Sequence, residues 1–467
     1  MFNQKIKDFV LVLFLFSGFL VIDSCKEAGD ELSPIDPVVP TDIADLDVPI
    51  IVPSGNEPYL NLSSDYVFDQ NELRTYELIL LEDSLNYLNN DPAAEQYVEG
   101  MLVFEGDTIS PVGIRYKGSI GAYVGCVSGG QWFDPTGYKT CTKLSMKVKI
   151  NWKDREERFF GLNKLQFHSM NNDRSQLHDR LAYWLFQQMD VPSPRSVHAR
   201  LLINGEFNGL FALTEQIDKR FVKQNFNDDD GNLYKEIWPL SFEGDIFSDQ
   251  EYIAALKTNE NDNPDVSFFR DFGQQIASSN LDIGKEIVEQ YMDIDEIISY
   301  AAVDRTIRHD DGPFHWYCFD GCASHNFFWY EEPNEKKLHL IPWDMDNAFE
   351  NIINNANLIT PIADDWGEVS NNCFPFQYLN SFQWSAACDK LTAVWASYES
   401  LFESKKATLI DGPLSQASTD AMLDAWANQI RSTTEEASSL HDDAIPIEDW
   451  EFQLNKLKNQ LEFARNN

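Results

Sequence analysis

The sequence predicts an α+β protein of two lobes, a strand-rich first half and a helical second half, with a cleft between them. Two observations carry this. Alternating apolar and polar residues recur between Thr75 and Leu213, and helix-period apolar patterns recur from Ile283 to the C-terminus. The elements follow in order. Thr75–Leu81 reads as a strand, and Tyr97–Phe104 as a second. Glu105-Gly106-Asp107 turns into a third that runs through Val112 to Tyr116. After the glycines at 118, 121, 125, 129 and 130 comes Lys143–Ile150, where alternation is strict. Leu144, Met146, Val148 and Ile150 share one face, and Lys143, Ser145, Lys147 and Lys149 the other. That second face is either a solvated sheet surface or a cationic wall for anionic groups. Asn172 or Asp173 caps a helix striped by Leu177, Leu181, Trp184 and Leu185, which Pro192 and Pro194 stop. Asn204-Gly205 between apolar runs marks a hairpin. Asp228-Asp229-Asp230-Gly231 lacks the ligand spacing of a calcium loop and reads as a turn. Helices are expected over Ile283–Val303, Asp389–Leu409, Thr419–Ala437 and Asp449–Ala464.

The chain has 467 residues, enough for one large or two ordinary domains, and a net charge of −40. Such acidity disfavours nucleic acid and anionic lipid surfaces as partners and favours divalent cations. The simplest reading of it is a solvated acidic coat. Lys5 and Lys7 precede an apolar run from Phe9 to Ile22, too short for a comfortable membrane span. Ile22-Asp23-Ser24-Cys25 resembles a bacterial lipobox, with Cys25 the lipidated residue; an ordinary secretory signal is the alternative. An exported protein is expected, held in the cell envelope through Cys25 or secreted. Lys26 to Tyr59 carries Pro34, Pro37, Pro40, Pro49 and Pro53 among its prolines and many acids, and it reads as an extended tether. The expected organisation is therefore 1–24 signal peptide, 25–59 acidic linker, 60–240 first lobe and 241–467 second lobe. The other six cysteines fall in three sequence-local pairs, Cys126 with Cys141, Cys318 with Cys322 and Cys373 with Cys388. In an oxidising compartment these suggest disulfides; free thiols and a metal site stay open as alternatives.

Chemistry-bearing residues concentrate between Asp304 and Phe349. They include His309-Asp310-Asp311-Gly312, His325-Asn326 and Trp343-Asp344-Met345-Asp346. One carboxylate to accept a hydroxyl proton, with an Asn and further carboxylates to hold magnesium, is what metal-assisted phosphoryl transfer needs. Asn326 and Asp344 flank an expected hairpin, Phe327–Tyr330 with Leu338–Ile341, which would bring them together. Acidic loops are also commonplace in a chain with 76 Asp and Glu.

Taken in order, Arg115-x-Lys117-Gly118, Lys143-x-Ser-x-Lys-x-Lys149, Asn204-Gly-x-x-x-Gly-Leu210 and Glu215-x-Ile-Asp218 form a series. Leu233-Tyr-Lys235, His325-Asn326 and Ile341-Pro-Trp-Asp344-x-Asp346 complete it. The series resembles the CotH kinase family. The resemblance implies a protein-kinase-like fold and ATP-dependent phosphorylation of protein Ser or Thr hydroxyls with Mg²⁺ or Mn²⁺. The acceptor would be an exported or surface protein. It implies Asp310, with Asp311 as competitor, as catalytic base, and Asn326, Asp344 and Asp346 as metal ligands. Arg115, Lys117, Gly118, Lys147 and Lys149 would lie at the phosphates, and Glu215 and Ile217 near the adenine. A lysine-pairing role falls to Asp179. The chain lacks the glycine loop, H-R-D and D-F-G signatures of ordinary kinases. It also carries an aromatic insert, Pro313–Cys322, between Asp310 and Asn326. A catalytically inactive, surface-anchored binding lipoprotein is the alternative.

Overall fold

The computed structural model describes residues 63–118, 120–123, 125–129, 134–153, 158–260, 264–353 and 359–467. The signal, Cys25 and the whole of the tether lie outside the described residues.

The fold is mixed α and β. Strands β1 (Arg74–Ile79), β2 (Val98–Phe104), β3 (Asp107–Tyr116), β4 (Met146–Lys149), β5 (Lys164–His168), β6 (Ser196–Ile203) and β7 (Glu206–Thr214) close into a barrel. Its order is β1-β2-β3-β4-β5-β7-β6, antiparallel except where β1 meets β6. Strand β8 (Leu233–Lys235) joins β11 (Phe327–Glu332) and β12 (Lys337–Pro342) in a three-stranded sheet. Strands β9 (Trp316–Cys318), β10 (Cys322–Ala323), β13 (Phe376–Tyr378) and β14 (Ser381–Trp384) form a four-stranded one. The helices are α1 (Glu82–Asn90), α2 (Ile120–Tyr123), α3 (His178–Gln188), α4 (Lys219–Asn225), α5 (Asp249–Ala254) and α6 (Ser267–Ser278). They continue with α7 (Leu281–Tyr291), α8 (Ile294–Ile307), α9 (Lys390–Ala396), α10 (Glu399–Asp411), α11 (Gln416–Leu440) and α12 (Ile447–Asn466). Among the described residues, no helix is long and apolar enough to cross a membrane.

Alternation explains the barrel. Leu144, Met146, Val148 and Ile150 are all buried in its interior with Tyr76, Leu102, Ile114, Phe167 and Phe211. The β6–β7 turn is the expected one: Asn204 and Gly205 both have positive φ, 51° and 83°, which a two-residue hairpin of matching twist requires. Gly100 sits at the β2 bulge, where a Cβ would lie 2.6 Å from Ile114 Cδ1 and 2.8 Å from the Ile79 carbonyl.

The second core is built from the helices, and α3 belongs to it: Leu177, Leu181, Leu185 and Phe186 are fully buried there. Each such side chain contributes roughly 1.5–3 kcal/mol by leaving water. Trp238 sits at the middle of this core, edge-on to Trp316, Phe327, Trp329 and Trp395 at 5.3–5.8 Å. It thereby seats the four-stranded sheet on β11 and α9.

Three helix expectations need correction. The helix over 172–185 starts later, at His178. Asp173 instead closes a turn, its carboxylate accepting from the backbone N–H groups of Ser175, Gln176 and His178 at 2.7–2.9 Å. The single helix over 283–303 is two, because Asp293 starts α8 as its N-cap by accepting from Glu296 N at 3.2 Å. The helix over 389–409 is likewise two, divided at Ser397–Tyr398. The small disulfide-bonded sheet was not expected. Its strands are two to four residues long and come from segments some sixty residues apart, too short for a period to register.

Candidate active site

The β11–β12 hairpin builds the site. Phe327 pairs with Pro342, and Trp343 N donates to the Asn326 carbonyl at 3.1 Å, so Asn326 and Asp344 emerge at the same end. Both residues adopt left-handed backbone, φ 58° and 56°. Asn and Asp tolerate this better than most residues, and such strain collects where side chains must be aimed. Asn326 donates its amide to the Asp311 carbonyl and to the Asp311 carboxylate, each at 2.9 Å. That use of the –NH₂ group turns the amide oxygen away from Asp311. Burial pushes the Asp311 carboxyl up to about 6, reinforced by Asp344 and opposed by His325, His309 and Asn326.

Asp344 is fixed by its backbone. Its N–H donates to the Tyr183 hydroxyl at 3.0 Å, and its carbonyl faces His309 Nε2 at 3.0 Å. His309 Nδ1 faces buried Asp304 at 3.1 Å. Burial alone would lower the His309 proton affinity, but Asp304, Asp311 and the Asp344 carbonyl raise it above the usual value. Burial also raises the Asp344 carboxyl. Asp179 pushes the same way, while His168, Lys117 and Lys235 oppose. Asp346 goes well above the ordinary range, first by burial and then by the charges of Asp344 and Asp179. Asn172 and Asn347 donate to its two carboxylate oxygens at 3.3 and 2.9 Å. Four carboxylates, Asp179, Asp311, Asp344 and Asp346, therefore repel one another in one place, bordered by Lys117 and Lys235.

Asp310 stands apart from this group. It is 0 % exposed, its Oδ1 accepts from Ile362 N at 2.9 Å, and burial pushes it up to about 6. Its carbonyl accepts from His315 Nδ1–H and, at 2.7 Å, from the Tyr317 hydroxyl. The aromatic insert is thus bonded to the turn that carries Asp311. It is closed by the Cys318–Cys322 disulfide, while Cys373–Cys388 and Cys126–Cys141 are bonded as the expected local pairs.

On the barrel, Arg115, Lys147 and Gln166 are cross-strand neighbours on the outer face, as are Lys149 and Lys164. Lys147 is only 1 % exposed, whereas Lys143, Ser145 and Lys149 on the same face are half-buried. Arg115 pairs with Glu95, which also accepts from Gly118 N at 2.9 Å and the Tyr123 hydroxyl at 3.0 Å. Lys143 donates to the Leu210 carbonyl at 2.8 Å. Lys117, one rung nearer Asp344, donates to Gln166 Oε1 at 2.8 Å and lies 5.3 Å from the centre of the Trp343 ring. Glu215 is held by Arg195, whose Nε and Nη2 reach its two oxygens at 3.0 and 2.6 Å. Ile217 is buried with Phe221, Val222, Phe328, Ile341 and Trp343. His168, Lys235, Glu95 and Tyr183 were not singled out from the sequence; only Lys235 lay in a quoted motif. A cavity of about 460 Å³ beside Phe226, Glu296, Glu332 and His339 lies at the opposite end of the hairpin from Asp344. The carboxyl oxygens of Asp228, Asp229 and Asp230 lie within 4.8 Å of one another; Asp228 and Asp229 are half-buried and Asp230 is exposed.

The site is an oxygen-rich centre with cationic side chains beside it. Residues 114–466 match the family described as CotH kinase protein, and the chain belongs to that family. No curated protein matches it.

Proposed function

We propose that this chain is an exported CotH-type kinase that moves the γ-phosphate of ATP to Ser or Thr hydroxyls of exported or surface proteins. In this reading the barrel and the helical body act as the two lobes of a kinase-like molecule, with the nucleotide between them. The observation that carries the reading is the meeting of Asn326, Asp311 and Asp344 at one end of one hairpin, next to Lys117. Asn326 through its amide oxygen, with Asp344 and Asp346, would hold Mg²⁺ or Mn²⁺. The mutual repulsion of these carboxyls is the donor chemistry a divalent cation relieves. When bound, the cation neutralises charge on the nucleotide's phosphates. Asp311 is the base: a carboxyl near 6 is ionised at neutral pH yet basic enough to take the acceptor's proton, and Asn326 aims it. Lys117 and Lys235 orient the phosphates, with Arg115, Lys147 and Lys149 extending the positive wall behind them. The membrane is reached through lipid on Cys25 alone.

The test is thermal denaturation with ATP. Stabilisation is expected only with Mg²⁺ or Mn²⁺ present, and Asp344→Ala removes it. A wild-type chain showing neither that shift nor phosphate transfer to a generic acceptor protein is a binding lipoprotein instead.

A further inference from the structure

His168 stands between Lys117 and Asp179. Its Nε2 is 3.0 Å from Lys117 Nζ, and its Nδ1 is 3.0 Å from Asp179 Oδ2. An ammonium has only protons to offer and an ionised carboxylate only lone pairs, so one ring must accept on one side and donate on the other. Neutral imidazole with its proton on Nδ1 does both; imidazolium would set N–H against N–H at Lys117. The chain of contacts continues. Asp179 Oδ1 accepts from Met345 N at 3.1 Å, and Thr214 donates to Oδ2 at 3.4 Å. The ring is fixed by more than these bonds: Trp343 lies edge-on at 5.7 Å, and the His168 side chain is 12 % exposed. The contacts thus run from the end of β3 through β5 and α3 to the turn that carries Asp344.

We infer that His168 is a positioning residue, the Nδ1–H imidazole that bridges Lys117 to Asp179 and sets the lysine at a fixed offset from Asp344. A direct lysine–carboxylate pair is replaced here by a longer one with a ring between its ends. The inference rests on the kinase reading for what Lys117 does, but the bridge itself is testable without it.

The bridge is tested first by the ring-nitrogen NMR signals of ¹⁵N-histidine-labelled wild type at neutral pH, assigned by loss in His168→Gln. A protonated Nδ1 with an unprotonated Nε2 is expected. A protonated Nε2, in either neutral or cationic ring, overturns it. Kinetics come second. Gln can accept from Lys117 and donate to Asp179, whereas Phe keeps the ring and loses both bonds. His168→Phe should raise the KM for ATP about tenfold, the scale of one charge-assisted hydrogen bond, with a smaller change in kcat. His168→Gln should return KM to within about threefold of wild type. A His168→Phe protein that melts cooperatively and keeps the wild-type KM overturns the positioning role. If wild type neither binds nor uses ATP, the kinase reading fails, and the nitrogen signals still decide the bridge.

Discussion

Asn326 grips Asp311 twice, at the carbonyl and at the carboxylate, both at 2.9 Å. No such bond joins Asn326 to Asp310, whose carboxylate is instead held from the other side by Ile362 N. Two adjacent aspartates in one turn therefore have different environments.

That difference separates their roles in turnover. Asp311→Asn should lower kcat by about 10² or more, as expected for loss of a general base, while Asp310→Asn should lower it by less than about tenfold. Phosphate transfer from ATP to a generic acceptor protein measures both. Equal losses would contradict the assignment.

Asp310 also predicts a pH dependence. Its proton affinity is raised in the folded chain, to about 6 from an ordinary 3.8, chiefly by burial. A carboxyl raised in this way destabilises the fold where it is ionised. Its contribution is most favourable below about pH 4 and is lost as pH rises through about 6. Asp310→Asn, compared with wild type by urea denaturation, should be more stable at pH 7, by on the order of 1–3 kcal/mol, and should lose that advantage by pH 4. A pH-independent difference would remove burial as the cause.

Glu215 is 2 % exposed and paired through two bonds with Arg195. Glu215→Ala should cost about 1–2 kcal/mol of stability, because Arg195 loses its buried partner but keeps Asp65, Ser64 and Gln224. It should leave ATP affinity of the folded protein unchanged. A large loss of affinity with little loss of stability would return Glu215 to the nucleotide.

The disulfides should differ in what they protect. Cys126–Cys141 and Cys373–Cys388 each close 15 residues, worth about 3 kcal/mol by loop entropy, whereas the four-residue Cys318–Cys322 loop is worth about 2 kcal/mol. The smallest loop should matter most for turnover, since β9 bonds directly to the Asp310 carbonyl. Replacing each pair by serine and measuring melting and kcat separates the two effects.

Much of this was legible in the sequence where the information is local. The β11–β12 hairpin, the Asn204–Gly205 turn and the three cystine pairs each depend on residues within about 16 positions of one another. The Leu144–Ile150 stripe was legible because a strand's period is two. Its lysine face was less so: a period tells which side a residue faces, not what covers that side, and Lys147 turned out buried. His168 gave no signal at all. Its meaning comes from Lys117, 51 positions earlier, and from Asp179 on a helix whose place is set by a different core.

The C-terminal pair of helices clasps what the first half builds. Gln429 and Glu436 on α11 reach Arg180 and Arg200, and Thr434 bonds to Gln176. On α12, Trp450 caps the Ser175 carbonyl, and Gln460 and Lys456 hold Glu350 just beyond the Asp346 turn. A ribosome must therefore finish nearly the whole chain before the barrel wall and the aspartate turn acquire their backing. Shortened versions ending before residue 416 would leave both without it.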